Sequence, residues 1–189
     1  MKKNIILLIV CTSALFSVPC FASSLPGAEL SGNIWGIGMP VSLSADFKIN
    51  PKMTVGLSVG LPIYHYQTFG IGRYDLRFMY LFSNENSLSI AGIIGAWGDT
   101  DILRPDTGNH YSPIGLEIGL ALSYPFTSKL TGRLNIVAGL PLLAWGGQSA
   151  FGYFPPAGGI ELGYKFSDSI EGTIGVTGQG DLLGLRIGF

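Results

Sequence analysis

Ile114-Gly115-Leu116-Glu117-Ile118-Gly119-Leu120-Ala121-Leu122-Ser123-Tyr124-Pro125-Phe126 is the stretch that decides the fold. Ile114, Leu116, Ile118, Leu120, Leu122, Tyr124 and Phe126 fall on one set of alternate positions, and Gly115, Glu117, Gly119, Ala121, Ser123 and Pro125 on the other. A repeat of two places one set on each face of a strand, because successive side chains of an extended chain point to opposite sides. The same alternation runs from Val41 to Ile49, with Ser42, Ser44, Asp46 and Lys48 opposite Val41, Leu43, Ala45, Phe47 and Ile49. It runs again from Met53 to Ile63, where Thr54, Gly56, Ser58, Gly60 and Pro62 face away from the apolar set.

These strands end in a recurring way. Tyr80-Leu81-Phe82-Ser83, Tyr124-Pro125-Phe126-Thr127 and Tyr164-Lys165-Phe166-Ser167 each carry two aromatics on one face immediately before a polar turn, and the chain stops on Ile187-Gly188-Phe189. Amphipathic aromatics settle at a membrane–water boundary. Tyr80, Phe82, Tyr124, Phe126, Tyr164, Phe166 and Phe189 are therefore expected to form a boundary belt.

The N-terminus fits export. Lys2 and Lys3 precede an apolar run from Ile5 to Val18, and Cys20-Phe21-Ala22 is a small-x-small cleavage site, so residues 1–22 read as a signal peptide and 23–189 as one domain. Both cysteines, Cys11 and Cys20, fall in the leader, so no disulfide or thiol chemistry is expected in the mature chain. Lys+Arg number 11 against Asp+Glu 12, with no basic cluster, which argues against a nucleic-acid partner. The mean hydropathy of +0.41 is high for a soluble protein, yet beyond the leader no uncharged run is long enough for a spanning helix. Only helices and closed barrels satisfy their backbones in lipid, so a transmembrane antiparallel up-and-down β-barrel is the expectation.

Tight turns at Asn50-Pro51-Lys52, Ser83-Asn84-Glu85-Asn86, Thr127-Ser128-Lys129 and Ser167-Asp168-Ser169 alternate with longer connections near 64–72, 98–113 and 146–156. Four hairpins give eight strands, and further ones near 28–37 and 182–189 bring the count to ten. Eight would result if Gly36-Ile37-Gly38-Met39-Pro40 were irregular. In its leader, alternating strands, aromatic strand ends and terminal Leu183, Leu185, Ile187, Phe189, the chain resembles small Gram-negative outer-membrane β-barrels, the kind that includes the OmpA membrane domain, OmpX and OmpW. The resemblance implies residence in the outer membrane, contact with its lipid, and delivery to the barrel-assembly machinery through Phe189.

The phase set by the apolar face sends Glu29, Asp46, Lys48, Arg73, Asp75, Arg77, Glu117, Arg133, Glu161, Lys165, Glu171 and Arg186 inward, six acids and six bases. A selective pore lines its constriction with one sign, whereas a matched set suggests a lumen largely filled by ion pairs. Inward Gly56, Gly60, Gly115, Gly119 and Gly139 ease the curvature of a small barrel or leave room inside it. Pro62 and Pro141 each follow Gly-Leu and break a strand ladder. In outer-membrane lipid enzymes and channels for hydrophobic molecules such breaks are lateral openings; the plain alternative is that the strands end there.

Asn109-His110-Tyr111-Ser112-Pro113 resembles the His-x-Ser motif of lipid A 3-O-deacylases, in which the His activates the Ser toward an ester. That resemblance would make Ser112 the nucleophile and His110 its base, although Pro113 replaces the family's Asn and Glu117 lies on the opposite strand face. Two distant histidines and no thiols make no metal set, and Asp99, Asp101 and Asp106 lack EF-hand spacing, so neither metal nor cofactor is expected. The leading expectation is a non-enzymatic outer-membrane protein, structural or a narrow channel for small or apolar molecules. An outer-leaflet lipid-modifying hydrolase is the alternative, and a soluble secreted β-sandwich a third.

Overall fold

Period-two sequence with polar turns makes hairpins, and hairpins joined edge to edge close into a tube when the last strand meets the first. In a computed structural model, which describes residues 25–29, 32–39, 42–60, 73–85, 87–99, 114–143, 155–179 and 182–189, that closure is complete. Ten strands follow one another: β1 Ile34–Met39, β2 Ser42–Asn50, β3 Met53–Gly60, β4 Arg73–Glu85, β5 Leu88–Asp99, β6 Ile114–Pro125, β7 Leu130–Leu143, β8 Gly159–Lys165, β9 Ile170–Thr177 and β10 Leu183–Gly188. Each pairs antiparallel with its sequence neighbours, and β1 pairs with β10 from Ile34↔Gly188 to Met39↔Leu183. The fold is thus an all-β, closed, ten-stranded up-and-down barrel, in which the pairing of β1 with β10 leaves no strand standing at the open edge of a sheet.

The alternation sorts the wall into two faces. Leu116, Ile118 and Leu120 on β6, Leu134, Ile136 and Leu140 on β7, and Ile160, Leu162, Ile174 and Val176 on β8 and β9 are exposed on the outside. Inside, Ser44, Asp46, Ser58, Asp75, Arg77, Glu117, Arg133, Asn135, Glu161 and Arg186 are buried. This inverts the usual soluble arrangement.

Two sequence readings are adjusted. The strand expected near 28–37 begins only at Ile34, because residues 25–29 turn into the lumen instead. The turn expected at Ser83–Asn86 is pushed outward: β4 continues to Glu85 and β5 starts at Leu88, with a register shift between Leu81 and Ser83. Ser87, at φ 68°, takes the left-handed conformation that closes this hairpin.

The lumen has a small apolar core of its own. Met79, Ala91, Ile93, Ala121 and Val137, from β4 to β7, form a patch onto which Ala28 and Ala157 pack. Ala28 belongs to the N-terminal segment and Ala157 to the connection before β8. The wall itself is uneven. β7 pairs with β6 from Thr131 to Leu143, but with β8 only from Leu130 to Asn135. Among the described residues the upper part of β7 has no ladder partner on its β8 side, and Pro141 stands in that part, opposite Gly115.

At the turn end of the barrel the aromatic pairs repeat one device. Tyr80 lies opposite Gly92, Tyr124 opposite Gly132 and Tyr164 opposite Gly172. In each case the Phe two residues on folds over that glycine: a Cβ would come within 2.8 Å of Phe82 at Gly92, 2.7 Å of Phe126 at Gly132 and 2.6 Å of Phe166 at Gly172. The bare backbone is the seat on which the ring rests, so the ring shields the ladder that glycine leaves uncovered. Tyr and Phe then meet at centroid distances of 5.6, 5.3 and 5.5 Å. A fourth group closes the belt, with Phe189 stacked on Trp35 at 5.7 Å and Phe47 set edge-on to both. Substituting Gly132→Ala should lift Phe126 off the wall and lower barrel stability by about 1 kcal/mol, the scale of an aromatic contact. In a Phe126→Ala background the same substitution should have almost no effect, which a double-mutant cycle of urea unfolding measures.

Candidate functional site

Strand register brings the charged residues together in a girdle across neighbouring strands. Asp46 pairs with Gly56, Gly56 with Arg77, Arg77 with Gly95, Gly95 with Glu117 and Glu117 with Gly139. Charged or bulky side chains on β2, β4 and β6 alternate with glycines on β3, β5 and β7. The glycines let the long side chains lie flat across the wall. A Cβ at Gly56 would press into Asp46 and come 2.8 Å from Arg77 Nε, and one at Gly95 would come 2.8 Å from Glu117 Oε1. The room that inward glycines leave is taken up by side chains: Gln179 covers Gly60, and Trp97 covers Gly115 and Gly139.

The first cluster centres on Arg77, which is 2% exposed. Its Nη2 donates to Asp46 Oδ1 at 2.7 Å and its Nη1 to Asp75 Oδ2 at 2.7 Å. Ser58 also donates to Asp75, and Gln179 Nε2 donates to Ser58 Oγ at 2.7 Å. Glu117, 0% exposed, faces Asp75, Arg77 and the backbone at Ala157.

The second cluster centres on Arg133 of β7, 3% exposed. Nη1 reaches Glu161 Oε1 at 2.8 Å and also Glu171, while Nη2 reaches Glu29 Oε1 at 2.6 Å and Glu171 Oε2 at 3.1 Å. The path from Arg133 to Glu171 crosses Gly163, where a Cβ would stand 2.6 Å from Arg133 Nη1. Arg186 adds a second cation, with Nη1 at 3.4 Å from Glu29, 3.8 Å from Glu171 and 3.9 Å from Glu161. Glu29 lies in the segment before the first strand. Burial pushes its carboxyl up, but the Arg133 and Arg186 guanidiniums outweigh that and hold it below the usual carboxylate range.

Of the sequence-chosen inward charges, Asp46, Asp75, Arg77, Glu117, Arg133, Glu161, Glu171 and Arg186 are buried in the lumen. Glu29 reaches the same place from the N-terminal segment rather than from a strand. Lys48 and Lys165 keep the alternating phase but are exposed, because they stand at the turn-end rim where the tube opens. Arg73 begins β4, and its side chain lies outside the described residues. Among the described residues, then, three buried arginines face six carboxylates. Residues 1–22, Pro62, His110 and Ser112 lie outside the described residues, as does the side chain of Pro141. No group of three or more His, Cys, Asp or Glu able to hold a metal occurs among the described residues.

Sequence reading missed the filling of the lumen by backbone. Residues 25–28 are buried, with Leu25 N donating to Glu161 Oε2 at 3.0 Å and Ala28 N to Ser123 Oγ at 2.9 Å. Asn135 Nδ2 donates to both Pro26 O and Ala157 O at 3.0 Å, tying this segment to residues 155–158. The signal was compositional. Leu25-Pro26-Gly27-Ala28 and Pro155-Pro156-Ala157-Gly158 are runs of small and turn-forming residues slim enough to lie beside charged side chains.

Replacing Arg133 with Met should leave Glu29, Glu161 and Glu171 without their shared cation and cost about 3–5 kcal/mol of barrel stability. Adding Glu161→Gln and Glu171→Gln should recover part of that loss, since the uncompensated charges go too. Unfolding of the refolded barrels by urea, followed by tryptophan fluorescence, checks both. Compared with family models, curated proteins and solved structures, the chain shows no match, so the barrel itself carries the reading of function.

Proposed function

We propose that the chain is an integral outer-membrane β-barrel, serving as a structural wall or as a narrow channel through a lumen largely filled by ion-paired side chains. The observation that carries this reading is the inverted wall: an apolar outer face, ringed at the turn end by Tyr80, Phe82, Tyr124, Phe126, Tyr164, Phe166 and the Trp35–Phe47–Phe189 group, around a buried polar interior. An aqueous exterior would charge a large penalty for so much exposed apolar surface, about 25 cal/mol per Å², whereas lipid removes it. A closed strand ladder is also the one β arrangement that leaves no backbone group unpaired in hydrocarbon. An export signal read at Lys2, Lys3 and Ile5–Val18, and Phe189 following β10, would support delivery by the barrel-assembly machinery.

The filling of the lumen favours a wall or a narrow path over an open pore. Arg77 and Arg133 each hold carboxylates from two or more strands, and residues 25–28 and 155–158 occupy the space between. For apolar molecules the β7–β8 seam above Asn135 supports a second route, since the ladder is incomplete there among the described residues and Pro141 lies within it.

The protein should partition with outer membranes, need detergent to stay in solution, and migrate differently on gels before and after boiling. In planar bilayers the refolded barrel should show no large steady openings. Any small current should favour cations, because carboxylates outnumber arginines in the described lumen. Large non-selective openings would overturn the filled-lumen reading, and solubility without detergent would overturn the membrane reading.

A further inference from the structure

Residues 25–29 touch the wall in an unusual way for a piece of a barrel's core. They form no strand ladder. Among the described residues their polar contacts are instead to side chains: Leu25 N to Glu161, Ala28 N to Ser123, Pro26 O from Asn135, and the Glu29 carboxylate to Arg133 and Arg186. Four strands, β6, β7, β8 and β10, thus present donors and acceptors that read the main chain of a short segment and the Glu29 side-chain carboxylate at its end. Ala28 completes the fit by packing on the apolar patch of Met79, Ala91, Ile93, Ala121 and Val137.

The wall is also electrically complete without its guest. Arg133 and Arg186 face Glu161 and Glu171, two cations against two anions, and Glu29 is a third anion brought by the segment. When Glu29 leaves, Arg133 keeps Glu161 and Glu171, and Arg186 keeps both at ion-pair distance. Removing one partner of a buried pair is normally costly because the other is orphaned; here neither arginine would be. Glu29 is itself the most exposed member, with 23% of its side chain open.

We propose that this part of the lumen is a peptide-binding site, recognising the main chain of a short peptide together with a glutamate side-chain carboxylate, and that residues 25–29 occupy it as a releasable internal ligand. The site holds the lumen filled while occupied and opens space along β6 to β8 when vacated.

Hydrogen exchange of the full chain, refolded in detergent and read by mass spectrometry, tests this independently of membrane location or conductance. The Leu25 and Ala28 amides should exchange faster than the ladder amides of β6 and β7. Glu29→Gln, which trades a charge-assisted contact for a neutral one, should speed them about tenfold more and leave the ladder unchanged. Ser123→Ala, which removes the acceptor for Ala28 N–H and the hydroxyl beside the Glu29 carboxylate, should act in the same direction. In the Glu29→Gln protein, an excess of the C-terminally amidated peptide Leu-Pro-Gly-Ala-Glu should displace the tethered segment and raise its exchange saturably, whereas the amidated peptide with Gln in place of Glu should not. Exchange of Leu25 and Ala28 in step with the ladder in all three proteins would overturn release. Indifference to the free peptide would overturn the recognition site.

Discussion

Among the described residues, the guanidinium of Arg133 gathers carboxylates from two other strands and from the N-terminal segment. From one position on β7 it reaches Glu161 on β8, Glu171 on β9 and Glu29 in the N-terminal segment, with Arg186 of β10 beside the same carboxylates. A cation inside a narrow tube has little water to solvate it, so it must find its ligands on the surrounding wall. That demand explains why glutamates stand on neighbouring strands at this level and why Gly163 lies under the path to Glu171. Arg77 imposes the same demand on the other side, with Asp46 and Asp75 as its answer and Gly56 as the clearance.

Clearance is the second theme, and it operates on both faces. Inside, glycines on alternate strands let long side chains lie across the wall instead of colliding at the axis. Outside, Gly92, Gly132 and Gly172 give Phe82, Phe126 and Phe166 a flat seat. In both cases a residue without a side chain is placed directly beside one with a large one, and the pair fills a volume that two medium residues would fill less well. The Tyr-x-Phe repeat and the glycine opposite each Tyr are therefore parts of one unit.

Much of this could be read from the chain. Period-two alternation from Ile114 to Phe126, with its counterparts at Val41–Ile49 and Met53–Ile63, identifies strands and assigns each residue to a face, because side-chain direction in a strand is a local property. The buried positions of Asp46, Arg77, Glu117 and Arg133 follow from that phase. Lys48 and Lys165 share the phase yet are exposed, because phase says which way a side chain points and not how far along the tube it stands. The hairpin at Ser87 shifted for a similar reason: a bulge after Leu81 and a left-handed residue at the tip move the turn by a few positions without changing the alternation on either side.

The sequence by itself determined the class of fold, the two faces of the wall, the aromatic belt and the stock of inward charges, all set by spacing along one strand. The tertiary structure alone decided which charges meet. The contact between Arg133 and Glu29 spans 104 residues, and that between Leu25 and Glu161 spans 136. Such pairings depend on strand number, register and the closure of β1 on β10, which are properties of the whole ring. The same holds for the lumen's filling, since residues 25–29 bear no strand pattern and find their place only once the surrounding wall offers Ser123, Asn135, Glu161 and the two arginines at the right distances.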